Sequence, residues 1–370
     1  MNSICRPSKF KSRKHEFTEL SHSLTAALHN ANLKQSNTAQ ALVLHLCRDI
    51  RHLVRYLGTT LLIIQGCAAG PRVLTIPSAT GAIRNIDYQP GDYEKTLAAI
   101  TSVMATDLKL PFIHGVVTFY PSQASYEAGV MRATEEDLVR VREQLGPRGN
   151  QLNREAVLLA AKRSAVSSAA LAMYRQVLVN EWTFAKTPAS QQLRTLAHEL
   201  THVVQKEMVD GRLVLLDQWL AEGFAEWVGY KVADILAVEA IAKSRETALD
   251  LIATAKSYQT FPSLQQLVLN SDWITWSRTL GRPATYSQAF IAVDYLIEQK
   301  GLAVVIRYFA LFKKLNDHKR NFAAAFGEPI SSFDDKFTRH LEALLMKRSQ
   351  AQNLSDLRRT VLVGADRVIK

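Results

Sequence analysis

His198-Glu199-Leu200-Thr201-His202 and, a short way downstream, Trp219-Leu220-Ala221-Glu222-Gly223-Phe224-Ala225-Glu226-Trp227 are the two stretches on which the reading of this chain turns. Around the first, apolar Leu193, Leu196, Ala197, Leu200, Val203 and Val204 recur at three- and four-residue spacing, which predicts a helix over Gln191–Met208 with Ser190 as its N-cap. Positions four apart share a helix face, so the imidazoles of His198 and His202 can converge on one ion. Glu199 is rotated away from that pair and is better placed to reach a water on the ion than the ion itself. Two histidines for zinc and a glutamate as general base is the chemistry this spacing supports. By composition alone an H-[DE]-x-x-H pattern is expected about 0.02 times in a chain of this make-up.

Two histidines leave a catalytic zinc one protein ligand short. The third should be a His, Asp, Glu or Cys returned by a neighbouring element, and Glu222 is the best candidate, on a second helix running from about 217 to 242. Asp210-Gly211 marks the turn that lets the two helices pack as neighbours. Glu226 lies one turn beyond Glu222, where a carboxylate can accept the free ring N–H of a ligating histidine. Gly223 is costly inside a helix and signals close packing or backbone access to the site.

With these residues the sequence resembles the gluzincins, the thermolysin- and aminopeptidase-like zinc peptidases. The resemblance rests on His198, Glu199, His202 and the segment WLAEGFAEW, and extends more loosely over 75–346. It implies one zinc ion per chain held by His198, His202 and Glu222, with Glu226 behind a ligand and Glu199 as the base. Ala284–Phe290, opening a helix that ends near Lys300-Gly301, resembles the segment that carries an oxyanion-stabilising tyrosine, which assigns that role to Tyr286. Val116–Tyr120 reads as a strand, Pro121–Ala124 as the start of a helix, and Met173–Asn180 as a strand before the metal helix. In the resembled family such an edge strand pairs with extended substrate. Phe322–Gly327 followed by Ser331–Leu345 resembles the helical tail of bacterial relatives. The implied activity is peptide-bond hydrolysis, read as endopeptidase because the G-x-M-E-N signature of aminopeptidases is absent.

The expected fold is α+β: a two-lobe catalytic unit, with a β-containing lobe over 67–190, a helical catalytic lobe over 191–346 and zinc between them. Residues 1–66 form a leader and 347–370 a C-terminal tail. At 370 residues and 47% hydrophobic content the chain can bury a sizeable core, and no repeat or low-complexity segment appears. Residues 1–66 carry nine Lys or Arg against three acids, +6 of the total +11. The remaining +5 is an ordinary basic surface, so the pI near 9.5 does not point to nucleic acid.

That lopsided charge has a second meaning. Arg48, Arg51 and Arg55 precede apolar Leu57–Ile64, and Gln65-Gly66-Cys67-Ala68-Ala69 follows, the layout of a secretory signal. Ile64–Cys67 resembles the bacterial lipobox, with Cys67 as the lipidated residue. Cys5 and Cys47 precede it and no cysteine follows it, which suits an oxidising compartment. The signal lies about 50 residues in, so translation either starts later than Met1 or the first 40 residues are a real tail; a buried strand or short helix at 57–64 is the other reading. The implied location is the bacterial cell envelope, lipid-anchored, on the periplasmic face; Ala68 rather than Asp after the cysteine resembles lipoproteins that are sent on to the outer membrane. Two rival readings stand: a non-catalytic envelope lipoprotein, scaffold or chaperone, with a gluzincin fold, or a cytoplasmic zinc peptidase. The partners expected are a protein or peptide substrate and, through Cys67, a membrane.

Overall fold

A computed structural model describes residues 70–78, 91–111, 114–211, 216–257 and 259–368. The leader 1–66 and Cys67 lie outside the described residues, which fall in one compact unit over 69–370. The fold is α+β, mostly helical around one small mixed sheet.

The sheet holds β1 (Arg72–Thr75), β2 (Val116–Tyr120), β3 (Ala170–Met173) and β4 (Gln176–Asn180) in the order β1-β2-β4-β3. β1 runs antiparallel to β2, β2 parallel to β4, and β4 antiparallel to β3. The parallel pair needs a crossover. It is supplied by α2 (Gln123–Leu145), capped by Ser122, and α3 (Arg154–Ser167); α1 (Tyr93–Thr106) precedes them between β1 and β2.

The strand expected over Met173–Asn180 is instead the turn and second arm of a hairpin. Arg175 takes a left-handed φ of 57°, so the chain reverses at Tyr174-Arg175. β4 is thereby paired on both sides and buried, and β3 becomes the edge strand.

After the one-turn α4 (Glu181–Phe184) comes α5 (Ala189–Met208), which carries both histidines. It starts two residues earlier than expected. Pro188, at φ −56°, is the N-cap, and its carbonyl accepts from Gln192 N–H at 2.9 Å. Ser190 therefore sits inside the first turn. Leu193, Leu196, Ala197, Leu200, Val203 and Val204 are buried as one stripe, which fixes how the opposite, polar face looks out.

The second helix is shorter than expected: α6 spans Gln218–Ile235 and α7 restarts at Ile241–Lys256. Ala237 turns left-handed at φ 56° and Asp234 Oδ1 accepts the Ile241 N–H at 3.2 Å, so the break is built and capped. Then follow α8 (Asn270–Thr279), α9 (Arg282–Lys300), α10 (Leu302–Leu311), α11 (His318–Phe326) and α12 (Ile330–Val368), which continues through the segment read as a tail.

α6 is the central strut. Its Trp227 Nε1–H donates to Asp294 Oδ1 of α9 at 3.0 Å, and Arg245 of α7 grips the same carboxylate through two donors at 2.6 and 2.8 Å. Asp217, fully buried at its start, accepts from Tyr308 O–H at 2.7 Å and from the His318 ring at 2.6 Å. No helix among the described residues is long and apolar enough to cross a membrane.

Candidate metal centre

α5 and α6 lie side by side, and their facing polar stripes bring His198, His202 and Glu222 together. One donor atom from each falls within 4.8 Å of the others. Glu222 Oε2 is 3.5 Å from both His198 Nε2 and His202 Nε2, and the two nitrogens are 3.1 Å apart. The side chains are only 12%, 17% and 12% exposed, so three lone-pair atoms meet where little water can screen them. That set suits a cation, since buried acceptors facing one another are costly unless something positive lies between them.

The protonation pattern has the same cause. Burial by itself would lower the His198 pKa, but contact with Glu222 and Glu226 outweighs it and raises it well above the ordinary histidine value. Burial would raise the Glu222 pKa, yet the charge of His202 and its contact with both rings hold it well below the carboxylate range. A proton shared here does for one atom what a metal ion does for all three.

Each donor atom is aimed by a neighbour. Gln205 Oε1 can only accept, so the 2.8 Å contact with His202 Nδ1 puts the proton on Nδ1 and frees Nε2. Gln205 is itself held by donating from Nε2 to Ala221 O of α6 at 2.9 Å. Gln218 Nε2 donates to Glu222 Oε1 at 2.8 Å, leaving Oε2 for the histidines. Glu226 Oε1 comes within 3.3 Å of His198 Nδ1, off hydrogen-bond alignment.

Gln205 and Gln218 were not among the sequence candidates. The available signal was their spacing: Gln205 is i+3 from His202, and Gln218 is i−4 from Glu222.

Gly223 is explained by packing rather than by access to the site. A Cβ there would lie 2.3 Å from the Ala289 carbonyl oxygen of α9, so α6 and α9 meet backbone to backbone. This close approach carries Tyr286, one turn before Ala289, to the rim of the site. Its ring centroid is 6.3 Å from that of His198. Trp273 packs edge-on against it at 5.0 Å, and Arg282 Nη2–H donates to its hydroxyl at 3.4 Å. Burial pushes the Tyr286 pKa well above the usual phenol value, so the hydroxyl keeps its proton and can donate it.

These groups open into a cleft of about 850 Å³, walled by β3, α5, α6, the approach to α8 and the start of α9. Glu199 lines it beside His198. Among the described residues its carboxylate takes part in no hydrogen bond or ion pair.

Residues 121–209 match the family model of the eCIS core domain. The matched stretch runs from the end of β2 to just past α5, and so contains β3, β4 and the His198–His202 helix but not Glu222. No curated protein and no solved structure matches the chain.

Proposed function

We propose that the chain is a zinc-dependent peptidase that hydrolyses peptide bonds within protein substrates. The observation that carries the reading is the convergence of His198 Nε2, His202 Nε2 and Glu222 Oε2 beside a carboxylate, Glu199, that takes part in no hydrogen bond or ion pair among the described residues. Two imidazoles and one carboxylate are the donor set of a catalytic rather than a structural zinc, which would close with a fourth protein ligand. When bound, the ion supplies Lewis acidity and lowers the pKa of water toward about 7.

The protein's own groups divide the remaining work. Glu199 accepts the proton from the attacking water and returns it to the leaving amine. Tyr286 donates its O–H to the oxygen of the carbonyl under attack, with Arg282 holding the phenol in place. Glu226 and Gln205 fix the two rings, and β3 offers its free edge to an extended peptide.

Glu199→Gln keeps the shape of the side chain but loses its charge and cannot take the proton. It should bind zinc like the wild type and lose at least about 10²-fold in peptide cleavage. Full activity in that variant would remove the mechanism. His202→Ala should come out of purification without zinc; an unchanged zinc content would remove the ligand assignment.

The envelope location, with lipidation at Cys67, belongs to the same reading. Mass analysis of the native protein tests it, and an intact Met1 on an unlipidated chain would end it. The match at 121–209 favours a second reading, in which the chain works as part of an extracellular contractile injection system. Sedimentation of native extract tests this, since a part of such an assembly pellets with it and an unattached peptidase does not.

A further inference from the structure

Three basic side chains line the cleft: Arg194, Lys206 and Arg282. Arg194 is paired with Glu239 at 3.6 Å and lies over the Tyr230 ring. Arg282 is engaged with the Tyr286 hydroxyl. Lys206 differs, because no carboxylate lies within ion-pair distance of it among the described residues. The acidic charges that act on it from farther off are Asp137, itself paired with Arg140 at 2.7 Å, and Glu199 and Glu222 beside the histidines.

What Lys206 does touch is the edge strand. Its Nζ donates to Ala172 O at 2.5 Å. The register explains why that oxygen is available. Asn180 N–H donates to Ala169 O, and Ala170 and Ala172 face Val179 and Val177, so the pairs alternate and the backbone groups of Ala170 and Ala172 turn away from β4. A peptide added to β3 can therefore use the outward N–H and C=O of Ala170 and the N–H of Ala172. At the next position it meets the Lys206 ammonium instead of a carbonyl. Two of the three ammonium donors remain for it.

We propose that Lys206 is the specificity residue of this cleft: it takes a carboxylate of the substrate about two residues from the bond that is cut. The distance follows from the helix. Lys206 lies four residues beyond His202, about 6 Å along α5, and an extended peptide rises about 3.3 Å per residue. Burial lowers the Lys206 pKa, and a carboxylate partner removes the penalty of holding an unpaired ammonium there. The inference rests on the peptidase reading. The carboxylate is either an Asp or Glu side chain or the C-terminus of a short peptide.

The test uses the full-length zinc-loaded protein and quenched fluorescent peptides with Glu, Gln or Lys at each of three positions on either side of the cut, made with free or amidated C-termini. A hydrogen bond to a charged partner predicts a roughly ten- to hundred-fold preference in kcat/KM for the carboxylate-bearing peptide. If Glu→Gln in the peptide abolishes the preference, the ligand is a side chain; if amidation abolishes it, the ligand is the terminus.

Lys206→Gln can still donate to Ala172 O and should reduce the preference to about one. Lys206→Glu should turn it toward Lys. A second readout, independent of turnover, is fluorescence anisotropy of labelled peptides bound to Glu199→Gln, where the same ratio should appear and vanish on adding Lys206→Gln. Cleavage without discrimination, or a preference that survives both Lys206 variants, overturns the inference alone. A protein that cuts none of the peptides but binds the acidic ones through Lys206 overturns the peptidase reading and leaves the anion site standing.

Discussion

Replacing Gly223 with alanine adds one methyl group where α6 and α9 touch. That carbon would sit 2.3 Å from Ala289 O and 2.7 Å from Ala289 C, both backbone atoms that no rotamer can move. An ordinary carbon–oxygen contact is about 3.3 Å, so the helices must part by about 1 Å. Overpacking of this kind costs about 1–3 kcal/mol, and the better helix propensity of alanine returns about 1. The expected net loss is therefore up to about 2 kcal/mol, read as a lower urea midpoint at unchanged slope. The functional cost should be larger than the stability cost suggests. Glu222 is on one side of the wedge and Tyr286 on the other, and a misplacement of about 1 Å between catalytic groups can cost roughly 10²-fold in rate.

Gly229→Ala, on the same helix, is the control. Its Cβ would meet Arg194 O at 3.0 Å, a contact relieved by a shift of a few tenths of an ångström, so the propensity gain should nearly cancel the strain. If Gly223→Ala matched the wild type in urea midpoint and cleavage rate, the backbone contact between α6 and α9 would not be what positions the site.

Two further outcomes follow from the surroundings of the site. Gln205→Leu removes the acceptor that holds the His202 Nδ1 proton and should weaken zinc binding about 10- to 100-fold, measured by competition with a chromogenic chelator; unchanged affinity would leave the glutamine with a packing role only. The second concerns His318, whose contact with buried Asp217 raises its pKa above the ordinary 6.5. A raised folded-state value means the folded protein binds the proton more tightly. The stabilisation is fully present below about pH 6.5 and fades as pH rises through the folded value. Urea midpoints of wild type and His318→Gln should therefore differ most at pH 6 and converge at high pH; a constant difference would show that His318 acts without its charge.

How much of this was legible depended on whether the signal was local. The α5 histidines, Glu222 and Glu226 were readable because i,i+4 spacing on a helix is itself a statement about three-dimensional placement. β2 was readable as a short apolar, β-branched run, and Pro121–Ala124 marked the start of the helix after it. The β3–β4 hairpin was not, because Met173–Asn180 is apolar enough to pass as one strand. Its reversal depends on Arg175 adopting φ 57°, a conformation no arginine advertises. The end of α6 was hidden likewise, since Ala237 is a helix former whose left-handed turn is stabilised from outside by the Asp234 cap on Ile241. Asp217 stood in the sequence only as the start of the second helix, yet its carboxylate serves Tyr308 and His318, partners about 90 and 100 residues away. Gln205 and Gln218 were passed over because amide side chains in helices are common. Only the packing of α5 against α6 makes one a ring anchor and the other a carboxylate anchor.

The three carboxylates of the cleft lie close together and yet are held in three different ways. Glu222 has one oxygen taken by Gln218 and the other pointed at both imidazoles, so it is presented as a single donor. Glu226 faces the far side of the His198 ring, where it can steady an imidazole but cannot reach the point where the donor atoms meet. Glu199 is next to His198 in sequence and has no hydrogen bond or ion pair among the described residues. A metal site that only braced the fold would gain nothing from a free carboxylate at that position. It would carry a third acid beside two others in a partly buried cleft, offset only by the charges of His198, Lys206 and Arg282 without an ion pair to any of them. The cost becomes reasonable if Glu199 exists to take up a proton. That argument ties the Glu199→Gln comparison to the stability of the fold as well as to turnover: the variant should be at least as resistant to urea as the wild type, because it removes a charge that no hydrogen bond or ion pair among the described residues uses.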